Sequence, residues 1–205
     1  YAAITAMQQS DLLITLGARF DDRVTGRLDG FAPHAKIIHV DIDAAEFNKI
    51  RSADVAIRGQ VKAVVAAIDA ATTSTSDLTA WWKTIDQWRS EHPLAYDPQD
   101  PAAPLRPQAI IEAIAQRSKP GTIVTSGVGQ HQMWAAQHWH YEEPGTWINS
   151  GGAGTMGFGV PAAIGAKAGH PDRTVWCIDG DGCFQMTAQE LVTARAEGIP
   201  IKAVS

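Results

Sequence analysis

A short acidic motif near the end of the sequence, Asp179-Gly180-Asp181-Gly182, is the segment best placed to do chemistry, through the Asp181 carboxylate. Asp179 and Asp181 alternate with Gly180 and Gly182, directly after the apolar run Thr174–Ile178. Such a run predicts a buried strand, and α/β sheets bind ligands where their strands end. Flanking glycines let the backbone approach a bulky charged group, and a carboxylate beside a helix N-terminus suits a magnesium ion that carries phosphates. On this segment alone, an acidic turn between strand and helix explains the carboxylates as well as a magnesium–phosphate site does.

A glycine-rich loop, Gly151–Gly159, is the second segment of interest. Five glycines in nine residues can turn backbone amides toward a phosphate or let a flat ring approach the main chain. The spacing resembles G-x-G-x-x-G, but no acidic residue follows about 20 positions later at a strand end, so a dinucleotide site is not favoured. Met156 in this loop is either core filling or a ridge under a bent cofactor.

Charged residues follow a predicted strand in the first part of the chain. Arg19, Asp21, Asp22 and Arg23 occupy four of five consecutive positions after Gly17. A solvated ion-pair cluster explains them on their own. Asp41 and Asp43 end the next predicted strand, where a carboxylate commonly accepts hydrogen bonds from a ribose. Together they make a nucleotide site plausible here. In the second part, His131 follows Gly127–Gln130 and is either a diphosphate donor or an ordinary helix N-terminal residue.

Alternating strands and helices must position these residues. Short apolar runs that end in Gly or Asp predict buried parallel strands, and apolar residues at helical spacing predict the covering helices. In the first block we predict strands over Asp11–Gly17 and Lys36–Asp43 and a helix over Val61–Ala71. In the second block we predict helices over Pro107–Arg117, Pro161–Lys167 and Thr187–Glu197, a glycine-rich turn and helix over Gly127–Gln137, and strands over Thr122–Ser126, Thr146–Ser150, 174–180 and Pro200–Val204.

A change of composition separates the two blocks. A polar break, Thr72–Ser76, precedes a predicted helix over Asp77–Trp88 whose N-cap is Ser76 or Asp77. The prolines of His92–Pro104 predict an extended linker. The predicted helix contains three tryptophans at helical spacing, Trp81, Trp82 and Trp88. This spacing favours packing of the helix onto a neighbouring surface over an aromatic ligand box. We therefore predict an α/β fold of two Rossmann-like (doubly wound) parallel-sheet blocks, both incomplete, joined by a proline-rich linker.

Composition excludes several classes of protein. The 205 residues are 45% hydrophobic and 19% charged with a net charge of −5, typical of a folded globular protein that does not bind nucleic acid. No apolar run reaches the ~20 residues of a membrane span, and no secretory signal is visible. Cys177 and Cys183 lack the spacing of a zinc site and predict reduced thiols in a cytoplasmic protein. The start at Tyr1 and the stop inside a predicted strand suggest a piece of a longer chain.

Taken together, the motifs resemble one enzyme family along nearly the whole sequence. The resemblance is to the catalytic subunits of acetohydroxyacid (acetolactate) synthases, thiamine-diphosphate enzymes of branched-chain amino-acid (valine and isoleucine) synthesis. The segments that carry it are Gly17–Gly26, Gly127–Ala136, Ser150–Gly159 and Ile178–Gly182. The first two distinguish this family from other thiamine-diphosphate enzymes. Residues 1–72 then correspond to the later part of a central FAD-binding-type domain, 73–106 to a helix and linker, and 107–205 to the first part of the thiamine-diphosphate domain.

The resemblance also implies a role for individual residues. Asp181 would ligate Mg²⁺. Gly154 and Met156 would hold the reactive, aminopyrimidine end of thiamine diphosphate, with Met156 imposing its bent shape. The residues that would contact its diphosphate are Val128, Gly129, Gln130, His131, Gly180, Gly182 and Cys183, the last at a position where serine is common. The residues that would contact FAD are Gly17, Arg19, Asp22, Arg23 and Val24, with Asp41 and Ile42 near its adenosine end.

The activity implied is decarboxylation of pyruvate and transfer of the two-carbon unit to a second 2-ketoacid, pyruvate or 2-ketobutyrate. A homodimer or tetramer, with a possible regulatory subunit, would be the working form. A second metal ligand and an activating glutamate would lie outside these residues, so this piece alone should be inactive. Two alternatives stay open, namely another thiamine-diphosphate decarboxylase or carboligase, and a non-catalytic nucleotide-binding module.

Overall fold

The computed structural model describes residues 1–73, 76–97 and 102–205. The chain divides into two compact units, Tyr1–Pro93 and Leu94–Ser205. Residues 74–75 of the predicted polar break and 98–101 of the predicted linker lie outside the described residues. The linker residues that are described have no helix or strand before residue 107, in keeping with their prolines.

The first unit is built on a three-stranded parallel sheet. The strands follow the order β1-β2-β3, with Ile38 of the central strand paired with Ile14 on one side and Val55 on the other. The third strand is an addition to the two that the sequence predicted. The elements are α1 (Ala2–Gln9), β1 (Leu12–Leu16), α2 (Asp22–Thr25), β2 (Lys36–Asp41), β3 (Val55–Arg58), α3 (Val61–Ala71) and α4 (Thr79–Glu91).

The edge strand β1 is less buried than predicted. Its alternate residues Leu12, Ile14 and Leu16 are 45–46% exposed, whereas Val40 in the central strand is completely buried. Period-two alternation sends these leucine and isoleucine side chains to the same face of the sheet. The hydrophobic core cluster of the unit, which includes Phe31, does not include these three residues. The prediction of a strand is therefore correct, and the prediction that it is buried is wrong for one of its faces.

Helix α4 begins later than predicted. Its N-cap position is Leu78, not Ser76 or Asp77. The Asp77 carboxylate nevertheless accepts a hydrogen bond from the Thr79 backbone N–H at 2.9 Å. Hydrogen bonding to Thr79 holds the pKa of Asp77 below its ordinary value. The side chain therefore acts as a local cap from one residue further back along the chain.

The tryptophans of α4 differ from one another. Trp81 and Trp88 are half-buried and meet edge to face, with ring centroids 5.7 Å apart. Trp82 is 52% exposed and carries the Arg89 guanidinium 5.9 Å from its ring centroid. Helix α4 packs against α1, which confirms the predicted packing role of this helix.

The second unit is a four-stranded parallel sheet with helices on both faces. Adjacent residues of β4 show the two faces, since Val124 joins a cluster with Ile111 and Ala135, and Ile123 joins another with Val160. The predicted parallel α/β fold is thus confirmed. The elements are α5 (Pro107–Arg117), β4 (Ile123–Ser126), α6 (Gln130–His138), β5 (Trp147–Asn149), α7 (Gly159–Gly169), β6 (Val175–Ile178), α8 (Asp181–Thr187), α9 (Glu190–Ala196) and β7 (Lys202–Val204).

The strand order of this sheet, β5-β4-β6-β7, creates a topological switch point. From β4 the chain passes to β5 on one side and then crosses to β6 on the other side. The connections therefore leave the carboxyl ends of β4 and β6 in opposite directions and open a crevice there. In parallel α/β sheets such a crevice is the usual ligand site.

The segment after β6 is more helical than the sequence suggested. The helix predicted over Thr187–Glu197 is present but shorter, as α9 (Glu190–Ala196), and an additional helix, α8, starts at Asp181, directly after Gly180. The sequence analysis predicted no helix before Thr187, and glycines disfavour helix interiors. Gly180 lies at the N-cap, however, and its carbonyl accepts the Phe184 N–H at 2.8 Å.

Two expectations from composition can be compared with the structure. In the described part of the chain, no helix combines the length and apolar character that a bilayer crossing requires. Cys177 lies in β6 and Cys183 in α8, and both are buried free thiols. Burial raises the pKa of Cys177 to about 12, so this thiol stays protonated at neutral pH.

Candidate functional site

A cavity of about 510 Å³ lies at the crevice between β4 and β6. Most of the residues predicted for the second block face it, and they come from three loops that are distant in sequence. Those that line it are Val128, Gly129, Gln130, His131, Met156, Gly180, Asp181, Gly182 and Cys183. Gly154 is in the same loop as Met156 and has a φ of +68°, a left-handed conformation that favours glycine, but it is not among the lining residues.

Asp179 forms the buried base of this site. Its side chain is completely buried, and Oδ1 accepts a hydrogen bond from the Gly127 N–H at 3.1 Å. Glycines surround the carboxylate, since a Cβ on Gly127 would lie 2.3 Å from Oδ1 and one on Gly159 would lie 2.7 Å from Oδ2. The end of β6 can therefore hold a buried carboxylate only because Gly127 and Gly159, the first residue of α7, carry no side chain there.

His131 extends from the first turn of α6 toward that carboxylate. Its Nε2 is buried and lies 3.2 Å from Asp179 Oδ1, but the two groups are not aligned for a hydrogen bond. A Cβ on Gly180 would lie 2.7 Å from His131 Nδ1, and one on Gly129 would lie 2.9 Å from Cε1. The glycines beside Asp181 and in the first loop thus make room for an imidazole as well as for any ligand.

Cys183 connects the two sides of the crevice. Its Sγ accepts the Val128 N–H at 3.4 Å and lies 3.2 Å from the Val128 carbonyl oxygen, to which the thiol donates. These contacts hold the loop after β4 against α8. The thiol side chain is 1% exposed at the base of the cavity.

Met156 and Asp181 lie at the open part of the cavity. Met156 is 45% exposed, and its Cε approaches Gly182 so closely that an added Cβ would be 3.4 Å away. Asp181 is exposed on the first turn of α8. The open part of the cavity thus presents both a charged carboxylate and an apolar thioether.

The residues predicted in the first unit are less enclosed. Arg19 is 61% exposed and pairs with Asp21, whose Oδ2 accepts its Nε hydrogen at 3.0 Å. This hydrogen bond holds the pKa of Asp21 below its ordinary value. Asp21 also caps α2 by accepting the Val24 N–H at 3.2 Å. The remaining predicted residues of this loop are exposed: Gly17, Asp22, Arg23 and Val24.

Asp41, the last residue of β2, and Ile42, which follows it, have different surroundings. Asp41 is buried, and its Oδ1 accepts the Asp43 N–H at 2.8 Å. The fully buried His39 lies 4.0 Å away, with both ring nitrogens unpaired among the described residues. Ile42 is 64% exposed. Asp41 therefore supports its own turn, while Ile42 is free to contact a ligand.

Sequence reasoning did not select Asp179 as a site residue, although it is the residue around which the crevice is organised. The signal was present, because Asp179 directly follows the last residue of β6, where ligand-binding carboxylates of α/β sheets occur. Trp134 also lines the cavity and was missed. It lies one helical turn after His131, on the same face of α6.

Family models match both units. One, for the central domain of thiamine pyrophosphate enzymes, matches residues 1–68. The other, for the C-terminal TPP binding domain of thiamine pyrophosphate enzymes, matches residues 127–205 and includes the loops of the cavity. Together the two matches account for most of the sequence. The chain belongs to the thiamine pyrophosphate enzymes.

Individual relatives narrow the comparison within that family and confirm the resemblance seen in the sequence. An acetolactate synthase of Mycobacterium avium is 56% identical over 98% of this chain. The acetolactate synthase large subunit of Corynebacterium glutamicum is 54% identical over 98% of the chain, and the isozyme 2 large subunit of Escherichia coli K12 is 46% identical over 99%. The chain covers 33%, 33% and 36% of these relatives, so it spans about a third of their length.

Proposed function

We propose that the complete protein is an acetolactate synthase. It would decarboxylate pyruvate and transfer the two-carbon unit to a second 2-ketoacid, pyruvate or 2-ketobutyrate, in valine and isoleucine synthesis. The observation that supports this most strongly is the cavity at the β4–β6 crevice, because its three loops are the segments that carry the resemblance to acetolactate synthases.

The residues of the cavity fit thiamine diphosphate. His131 offers a buried Nε2 with no aligned partner among the described residues, and the loops around it are kept free of side chains by Gly129 and Gly180. Asp181 offers an exposed carboxylate oxygen, the type of ligand that Mg²⁺ prefers. When bound, this cofactor supplies the carbanion stabilisation that 2-ketoacid decarboxylation requires.

The chain's own residues would bind and orient the reactants. Asp181 would hold Mg²⁺ and, through it, the diphosphate. Met156 would support the cofactor's bent shape with an apolar side chain that is already exposed toward the cavity. Correct placement of reacting groups can account for several kcal/mol of a barrier, about 7–11 in the best intramolecular cases. Gly154 would let the loop approach the aminopyrimidine end without a side chain in the way.

FAD and subunit partners are also part of the proposal. The exposed residues after β1 combine the cationic Arg19 and Arg23 with the apolar Val24, a combination suited to a flavin dinucleotide. Ile42 adds an exposed apolar side chain at the end of β2. We expect a cytoplasmic homodimer or tetramer of the full-length subunit, to which a separate regulatory subunit can bind, as the resemblance to acetolactate synthases implies.

A turnover assay of the complete protein tests the proposal. With pyruvate, Mg²⁺, thiamine diphosphate and FAD we expect acetolactate, with one CO₂ released for every two pyruvates consumed. Acetaldehyde or acetate in its place would favour another thiamine-diphosphate enzyme. A protein that binds nucleotide but turns over no 2-ketoacid would favour the non-catalytic module.

A further inference from the structure

Three different metal-binding groups converge beneath the cavity. His131 Nε2, an Asp179 carboxylate oxygen and Cys183 Sγ all lie within 4.8 Å of one another. All three side chains are buried or nearly so, since His131 is 13% exposed at its side chain, Asp179 is fully buried and Cys183 is 1% exposed. Asp181 is exposed and is not a member of this group.

The spacing is close to that of a tetrahedral zinc site. Zinc binds imidazole nitrogen and carboxylate oxygen at about 2.0–2.2 Å and thiolate sulfur at about 2.3 Å, which places neighbouring ligand atoms roughly 3.3–3.6 Å apart. His131 Nε2 and Asp179 Oδ1 are already 3.2 Å apart. Cys183 Sγ is within 4.8 Å of both atoms. A movement of the Cys183 side chain by about 1–1.5 Å would therefore bring all three ligand atoms to the spacing of a zinc site.

Charge also favours a cation at this position. A fully buried carboxylate is costly unless it is paired or strongly hydrogen-bonded. Asp179 receives one aligned N–H hydrogen bond, from Gly127, among the described residues, and a long contact of 3.9 Å from the Cys177 thiol. A divalent ion with one carboxylate and one thiolate ligand is a neutral unit, and a neutral imidazole leaves that balance unchanged.

We propose that His131, Asp179 and Cys183 form a binding site for zinc-like divalent ions at the base of the cavity. Binding would deprotonate the Cys183 thiol, release that proton to solvent and use the neutral form of His131, with water from the cavity as fourth ligand. The mixed nitrogen, oxygen and sulfur donors select Zn²⁺ or Co²⁺ over Mg²⁺, which prefers oxygen ligands. The site does not depend on the acetolactate synthase reaction.

Cobalt titration of the complete, cofactor-free protein tests the site directly. Co²⁺ is spectroscopically visible where Zn²⁺ is silent, and a thiolate ligand adds a near-ultraviolet charge-transfer band. We expect one equivalent of Co²⁺ to produce this band together with the intense visible bands of a tetrahedral complex, and one equivalent of Zn²⁺ to remove both. A protein that binds no Co²⁺, or binds it without the thiolate band, would overturn the proposal.

Two cysteine variants form a matched pair. Cys183→Ser should abolish the charge-transfer band, whereas Cys177→Ser should retain it, because Cys177 lies within β6 and is not a member of the group. Thermal unfolding of both variants shows whether they are folded. His131→Asn should also weaken Co²⁺ binding at least tenfold. A band that survives Cys183→Ser, or that Cys177→Ser removes from a folded protein, would contradict the assignment.

Cofactor competition separates this proposal from the proposed function. His131 and Cys183 are expected to contact the diphosphate as well, so saturating thiamine diphosphate with Mg²⁺ should reduce the cobalt band. If the band persists under these conditions, the metal site is supported and the assignment of these residues to the diphosphate is contradicted. The two proposals can therefore fail independently.

Discussion

The two units are both parallel α/β sheets, yet the residues predicted at their carboxyl edges have different surroundings. In the second unit, the strand order β5-β4-β6-β7 opens a crevice into which three loops place their side chains. In the first unit, the described strands follow the chain order β1-β2-β3, so successive connections run in one direction and no switch point arises among them.

Burial of the polar groups reflects that difference. Asp179 in the second unit is fully buried at its side chain, and His131 nearly so. Arg19 in the first unit is 61% exposed and its partner Asp21 27% exposed. A buried charge requires specific neighbours, whereas an exposed ion pair is largely satisfied by water. The same kind of sequence signal, charged residues after a strand, therefore corresponds to a constructed cavity in one unit and to an open loop in the other.

The largest expected effect tests whether the second unit's edge binds a metal. Asp181→Ala in the complete protein should lower Mg²⁺-dependent affinity for thiamine diphosphate by at least about 100-fold, because loss of even an outer-shell partner of a metal ligand typically costs 10–100-fold. Isothermal titration calorimetry measures the affinity. The matched control, Glu197→Ala, removes an exposed carboxylate that does not line the cavity. Equal affinities in the two variants would contradict a role for Asp181.

The next effect tests how closely the crevice is packed. Gly127→Ala should reduce the free energy of unfolding by about 1–3 kcal/mol, because the new Cβ would lie 2.3 Å from Asp179 Oδ1. Gly152→Ala is the matched control, since nothing lies within 4 Å of its Cβ position. Chemical denaturation measures both. If the two substitutions cost the same, the glycine surroundings of Asp179 are not a packing requirement.

A third substitution tests whether the exposed loop of the first unit contributes to a flavin site. Arg19→Gln should lower FAD affinity of the complete protein about tenfold, as expected for one lost charge-assisted hydrogen bond. It should leave thermal stability nearly unchanged, because exposed ion pairs contribute little. Arg27→Gln breaks a comparable exposed pair, with Asp29, and serves as the control. Unchanged fluorescence titrations with FAD would remove Arg19 from the site.

The smallest effect concerns a part of the second unit away from its cofactor residues. Tyr96 Oη and His138 Nδ1 lie 2.7 and 2.9 Å from the two Glu112 carboxylate oxygens. These hydrogen bonds, that of Tyr96 first, hold the pKa of Glu112 below its ordinary value of 4.5. A lowered carboxylate pKa stabilises the fold above the ordinary value, and this contribution is lost as the pH falls through the lowered value.

Tyr96→Phe should therefore cause a modest loss of stability at pH 7 that shrinks as the pH falls below 4.5. Thiamine diphosphate affinity should be unaffected. Tyr141→Phe is the control, because its hydroxyl donates to the neutral Ala135 carbonyl and its loss should not depend on pH in this range. Denaturation curves at several pH values distinguish the two. A pH-independent difference for Tyr96→Phe would exclude Glu112 as the titrating partner.

Much of the fold was predictable because local signals agree with tertiary structure. Val61–Ala71 and Pro107–Arg117 have the predicted bounds as helices, and β2 and β6 lie within predicted strands. The errors occur where packing decides. No helix was predicted before Thr187, yet α8 begins at Asp181, where Gly180 lies at the N-cap and not in the helix interior. The outer face of β1 is exposed although its sequence is apolar.

The sequence by itself determined the family, the two parallel sheets and the loops that end their strands, since these depend on residue type and spacing. Only the tertiary structure decided which residues meet. Asp179, His131 and Cys183 lie up to 52 positions apart in the chain, and their proximity follows from the crossing of the chain over β4. Strand order is a long-range property that no local pattern records. The buried carboxylate and its glycine surroundings could therefore be recognised only once β4 and β6 lay side by side.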